Sequence, residues 1–82
     1  MKKTENFPTP DLVERLRTDL AARLICARVS ASLSVSEASR RLGLHRNTLG
    51  NWESERSTPS AVQVVLLARL YRCKASNLLP EG

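Results

Sequence analysis

Histidine occurs once, cysteine twice and glycine three times in the 82 residues, and each scarcity excludes a class of chemistry. A tetrahedral metal site draws on clustered Cys and His ligands. With His45 alone and no close Cys pair, no metal site is expected and no cofactor is implied. No glycine-rich loop is present to cradle a phosphate, and no Ser or Cys nucleophile is marked out beside His45 with a supporting carboxylate, so the chain does not read as an enzyme. No apolar run approaches the roughly 18 residues of a membrane span. Met1-Lys2-Lys3 leads into polar residues rather than a signal core. Neither a membrane partner nor secretion is expected, and the expected location is cytoplasmic. Internal repeats, low-complexity tracts and strand-like alternation are missing as well.

What is present describes one small domain. Hydrophobic residues make up 41% and charged residues 26%, proportions of an ordinary globular chain. Thirteen Lys and Arg against eight Asp and Glu leave a net charge of +5, and ten of the cations are Arg. That balance favours an anionic partner, nucleic acid ahead of a membrane surface. A chain this short buries little apolar surface, so a partner subunit would help to stabilise it. Cys26 and Cys73 fall within apolar helical patterns and read as small buried hydrophobes in preference to a disulfide.

Residues 1–10, with Lys2, Lys3, Pro8 and Pro10, show no helical period and read as a flexible arm preceding a single domain over 11–82. Leu12, Leu16, Leu20, Leu24 and Ala27 then recur at helical spacing, widened by Val13, Ile25 and Val29, and predict a first helix over about 11–30. Ser34-Val35-Ser36-Glu37 has the form of a capping box that opens a second helix, closed by Gly43. A third helix is expected at about 45–53, with Leu49 and Trp52 as its inward pair and Leu44 packing back from before its start. Ser60-Ala61-Val62-Gln63 repeats the capping-box form ahead of an apolar helix to about Tyr71, and a last turn is possible over 76–79. Two short helices joined by a Gly-containing turn follow helix-turn-helix grammar. The expected architecture is all-α, a compact bundle of four to five helices with the motif at about 34–53.

Leu33, Ser34, Leu42, Gly43, Leu44, Leu49, Trp52, Glu53, Pro59 and Ser60 stand in register with a known pattern. The segment from Leu33 to Pro59 resembles the Cro and phage-repressor type of helix-turn-helix domain, the xenobiotic-response-element family, whose fold is lambda-repressor-like. With the flanking helices the resemblance covers about residues 12–79. It implies binding of double-stranded DNA as a homodimer, with the second helix of the motif in the major groove. Carried over by position, Arg46, Asn47 and Asn51 would face bases. Ser34, Arg40, Arg41, His45, Thr48 and Arg56 would face phosphates, with a thymine methyl as the alternative for Thr48, each in competition with ordinary solvation or a structural role. Arg28 and Glu53 would form a structural ion pair, and Trp52 would belong to the core rather than stack on a base.

Several positions depart from the pattern. Val35 stands where the family commonly has Gln, Ser39 where it has a small Ala, and His45 where it has Ser or Thr as the helix cap. Gly50 lies inside the helix expected to enter the groove. Val62, Val65 and Leu66 place an extra apolar strip on the fourth helix, which with Leu70 is the expected dimer interface. Arg72 and Cys73 replace a usual Gly and Val and suggest a longer fourth helix. The leading functional expectation is a small transcriptional regulator that represses by occupying an operator, in a phage, antitoxin or independent bacterial setting. The alternative is a protein-interaction module on the same scaffold, with a protein partner such as a toxin.

Overall fold

The computed structural model describes residues 7–81, so Lys2 and Lys3 of the expected arm lie outside the described residues. Helix α1 spans Pro10–Ser30, α2 Val35–Leu42, α3 Arg46–Glu53, α4 Ala61–Tyr71 and α5 Ala75–Leu78. The result is an all-α five-helix bundle in which α2 packs on α3 and α4, and α1 packs on α3, α4 and α5.

Helix α1 starts one residue before the expected boundary because its first turn is built for it. The Thr9 hydroxyl accepts the Leu12 amide at 3.1 Å, and Pro10, whose missing N–H has no helical partner to lose, sits at the start. Asp11 in the first turn and Arg28 in the last both oppose the helix dipole. The other helices are cut to length by equally local signals. In α2 the Ser34 hydroxyl accepts the Glu37 amide at 3.0 Å while the Glu37 carboxylate accepts the Ser34 amide at 2.9 Å. In α4 Ser60 and Gln63 repeat this reciprocal pair at 3.1 and 2.8 Å. Gly43 ends α2 with φ +70°, a left-handed conformation that a side chain disfavours.

The core is formed by Leu24, Ala38, Leu49, Trp52, Val64, Leu67, Ala68, Tyr71 and Leu78. Leu20, Ala27, Leu33, Val35, Leu42, Leu44 and Leu70 pack against it while partly exposed. Two expectations are corrected on α1. Cys26 is exposed rather than buried, and Ile25 and Val29 lie in solvent beside it. The reason is angular: at about 100° per residue, positions 25, 26 and 29 fall on the side of the helix away from Leu24, and the bundle covers only the Leu24 side. Cys73 is half-buried, and both thiols are free.

Helix α4 is not lengthened at Arg72. It ends at Tyr71, and Arg72 takes the left-handed cap conformation with φ 59°, at a cost of about 1 kcal/mol relative to glycine. The Cys73 amide then donates to the Ala68 carbonyl at 3.0 Å, closing the turn into α5.

Ser39 is 1% exposed and its hydroxyl has no hydrogen-bond partner. A buried unpaired hydroxyl costs about 1–3 kcal/mol, and alanine is also the better helix former. Ser39→Ala is therefore expected to raise the unfolding free energy by about 1–2 kcal/mol in a urea titration followed by Trp52 fluorescence. An unchanged or lower midpoint would show that the hydroxyl is satisfied in solution.

Candidate nucleic-acid interface

Helix α3 is only eight residues long, too short to persist without neighbours, so what holds it also sets what it displays. Leu49 is fully buried and Trp52 nearly so. These two side chains fix the inward face. Arg46 and Asn47 are exposed at the first turn, whereas Thr48, Gly50 and Asn51 are half-buried. Arg46, Asn47, Gly50 and Asn51 thus lie away from the Leu49–Trp52 face, while Thr48 sits lower beside it.

The start of α3 is held by an unusual cap. His45 is exposed, and its Nδ1 accepts the Asn47 amide at 3.1 Å. Accepting through Nδ1 requires a lone pair there, so the neutral ring keeps its proton on Nε2. The imidazole does the work of the Ser or Thr hydroxyl whose place it takes.

The far end of α3 is fixed by an ion pair. Arg28 donates from Nε to Glu53 Oε2 at 2.7 Å and from Nη2 to Oε1 at 3.1 Å, while its Nη1 donates to the Leu33 carbonyl at 2.8 Å. Their side chains are 15% and 9% exposed. One guanidinium therefore ties the end of α1, the connection into α2 and the last turn of α3. The hydrogen bond to Glu53 raises the Arg28 pKa above its ordinary value despite partial desolvation. Tyr71, whose hydroxyl is buried without a partner, is pushed up to about 12, mainly by burial and secondarily by the Glu53 charge.

Arg40 and Arg41 are exposed on the last turn of α2, next to the turn that leads into α3. Arg56 is exposed in the loop after α3. That loop folds back on the helix: the Asn51 carbonyl accepts the Arg56 amide at 2.9 Å and the Ser57 amide at 3.3 Å. Ser34 is exposed, with its hydroxyl oxygen engaged as the α2 cap. Its hydrogen bonds hold the Glu37 pKa below its ordinary value. A contact that sequence reasoning missed also steadies this end, since Thr18 Oγ1 donates to Glu55 Oε1 at 2.9 Å. The two residues are 37 apart in the chain, and no local pattern announces such a pairing.

Gly50 differs from Gly43. A Cβ at Gly50 would meet nothing within 4 Å, and its φ is not in the left-handed range. The free fold therefore does not require glycine there, although glycine inside a helix costs about 0.8–1 kcal/mol relative to alanine.

On α4, Val62, Val65 and Leu66 are exposed, Val62 at 69%, whereas Leu70 is half-buried against the core. Beside the strip is an apolar hollow of about 90 Å³ lined by Leu42, Leu44, Trp52, Gln63, Leu66 and Leu67. A larger open groove, about 620 Å³, separates α1 from the α4–α5 junction and is lined by both Cys26 and Cys73 but by no residue of α3. Among the described residues no group of three or more His, Cys, Asp or Glu is placed to hold a metal ion. No helix of the described chain is long and apolar enough to cross a membrane.

Comparison with curated proteins finds no match, and comparison with solved structures finds none. The helix-turn-helix family does match, over residues 27–78, a segment that begins inside α1 and takes in α2, α3, α4 and α5. With that match extending over more than half of the chain, and with the capped α2, the Gly43 turn and α3 in place within it, the chain belongs to the helix-turn-helix family.

Proposed function

We propose that this chain is a sequence-specific double-stranded DNA-binding regulator, a repressor that acts by occupying its operator with α3 in the major groove. The observation that carries the reading is the two-sidedness of α3: Leu49 and Trp52 are buried while Arg46 and Asn47 project from its first turn into solvent. The major groove admits a helix, and residues near the N-terminus of that helix reach base edges. Arg46 is suited to donate to guanine O6 and N7, and Asn47 and Asn51 to pair with adenine N6 and N7. Arg40, Arg41 and Arg56 flank this face and suit phosphates, with Ser34, His45 and Thr48 as lesser contacts.

Selection from a random duplex library at moderate salt tests the reading directly. Enrichment of a palindromic site supports it, and failure to enrich any sequence overturns it. On the enriched site Arg46→Ala should weaken binding by about 1–3 kcal/mol and affect nonspecific duplexes less. Arg40→Ala should weaken all duplexes alike and lower the salt slope by about 1. Titrations by fluorescence anisotropy at several salt concentrations separate the two roles. An equal loss on every duplex for Arg46→Ala would remove it from base reading.

The working form under this proposal is a symmetric homodimer joined through α4, which sets two recognition helices roughly 34–36 Å apart. Val62, Val65 and Leu66 supply the apolar strip, next to the apolar hollow that Leu66 helps to line. Leu66→Glu should shift the sedimentation mass from two chains to one. A monomeric parent protein would refute self-association.

The same exposed strip favours a second reading, a protein-interaction module such as an antitoxin-like chain whose α4 meets a different protein. Val35 in place of an expected phosphate-anchoring Gln points the same way. A monomeric parent that enriches no duplex is the outcome this second reading requires.

A further inference from the structure

We infer that the groove between α1 and the α4–α5 junction binds a small organic carboxylate with a flat apolar body, held by Arg23 on the α1 wall and Arg72 on the other. Helix α3 contributes no residue to this groove, so the inference stands apart from the DNA-binding reading. The groove holds about 620 Å³, within the roughly 300–1,000 Å³ of small-molecule sites, which combine apolar walls with a few placed polar groups.

The two walls are tied together by Arg23. It donates from Nε to Asp19 Oδ1 at 3.0 Å and from Nη1 across to the Asn77 carbonyl at 3.3 Å, and its Nη2 has no acceptor among the described residues. The turn at Arg72 uses backbone bonds alone: its amide donates to the Arg69 carbonyl at 3.3 Å and the Cys73 amide to the Ala68 carbonyl at 3.0 Å. The Arg72 side chain is exposed on the groove and forms no ion pair among the described residues. Asp19 already pairs with Arg23, which leaves the groove one uncompensated positive charge and matches it to a monoanion. A guanidinium fork fits the two oxygens of a carboxylate. Ala22, Ala27, Leu78 and the ring of buried Tyr71 supply apolar lining. That lining suits an apolar body better than the wholly polar surface of inorganic phosphate.

The test uses the full chain with benzoate as the probe, followed by backbone amide shifts in two-dimensional NMR. Benzoate should bind saturably with a Kd on the order of 1 mM, moving the amides of Arg23, Cys26, Cys73 and Asn77 more than those of α2 and α3. Arg72→Gly relieves a left-handed residue, φ 59°, so it should melt at a higher temperature than the parent, showing that it is folded. Its affinity for benzoate should nevertheless fall about tenfold, the worth of a hydrogen bond to a charged group. Arg69→Ala removes the same charge from α4 outside the groove and should keep the parent affinity. Uncharged benzamide and inorganic phosphate should each bind more weakly than benzoate by about tenfold. Absent or evenly spread benzoate shifts would overturn the inference, as would equal losses in Arg69→Ala and Arg72→Gly, or benzamide or phosphate binding as well as benzoate. None of these outcomes bears on whether α3 selects a duplex.

Discussion

Replacing Arg28 with methionine is expected to lower the unfolding free energy by about 3–5 kcal/mol. The Glu53 side chain is 9% exposed and takes two of its hydrogen bonds from this guanidinium. Methionine fills much of the same volume but leaves the carboxylate buried without a partner, and it also orphans the Leu33 carbonyl that Arg28 Nη1 satisfies. The double variant Arg28→Met, Glu53→Met separates pairing from packing, because apolar side chains in place of both charges cost far less than one unpaired charge. Urea unfolding followed by Trp52 fluorescence should place the double variant closer to the parent than the single variant. A single variant within about 0.5 kcal/mol of the parent would show that the pair is solvated enough to be dispensable. Against a domain stability of about 5–15 kcal/mol, the expected loss brings the fold close to its limit.

Leu49→Ala should cost about 2–5 kcal/mol by the same measurement, through lost burial and the cavity left behind. Leu49 is fully buried on an eight-residue helix whose other inward anchor is Trp52. Removing it loosens the element that carries Arg46, Asn47 and Asn51. Hydrogen exchange should then accelerate at the amides of α3 more than at those of the centre of α4. Uniform acceleration across the chain would mean that α3 opens only with the whole domain. The adjacent substitution Gly50→Ala strengthens the helix instead, so two neighbouring positions on α3 have opposite effects, one through lost burial at Leu49 and the other through helix propensity where a Cβ meets open space.

The helix boundaries were the most legible part of the structure because their signals are local. Ser34 with Glu37, Gly43, and Ser60 with Gln63 are each read within four residues, and all of them act where the pattern placed them. Periodicity was less informative about α1. It identifies an apolar face but not how much of the helix circumference the neighbours cover, which is why Cys26, Ile25 and Val29 lie in solvent. Arg72 misled for a different reason: the residue lacks glycine's freedom, yet the turn into α5 imposes the left-handed conformation on it. At the candidate interface, the exposure of Arg46 and Asn47 follows from the placement of Leu49 and Trp52 inward. The bond from Thr18 to Glu55 does not follow from any local rule, since it depends on how α1 crosses the loop after α3.

The reciprocal caps of α2 and α4 also bear on the order in which the chain assembles. Each links residues only three apart, so both helix starts can form with almost no loop-closure entropy. The bond from Arg28 to Glu53 joins residues 25 apart and becomes available only when α1 docks. Predominantly local helical contacts belong to fast-folding topologies, and the pairing of Arg28 with Glu53 is a long-range tie laid over them.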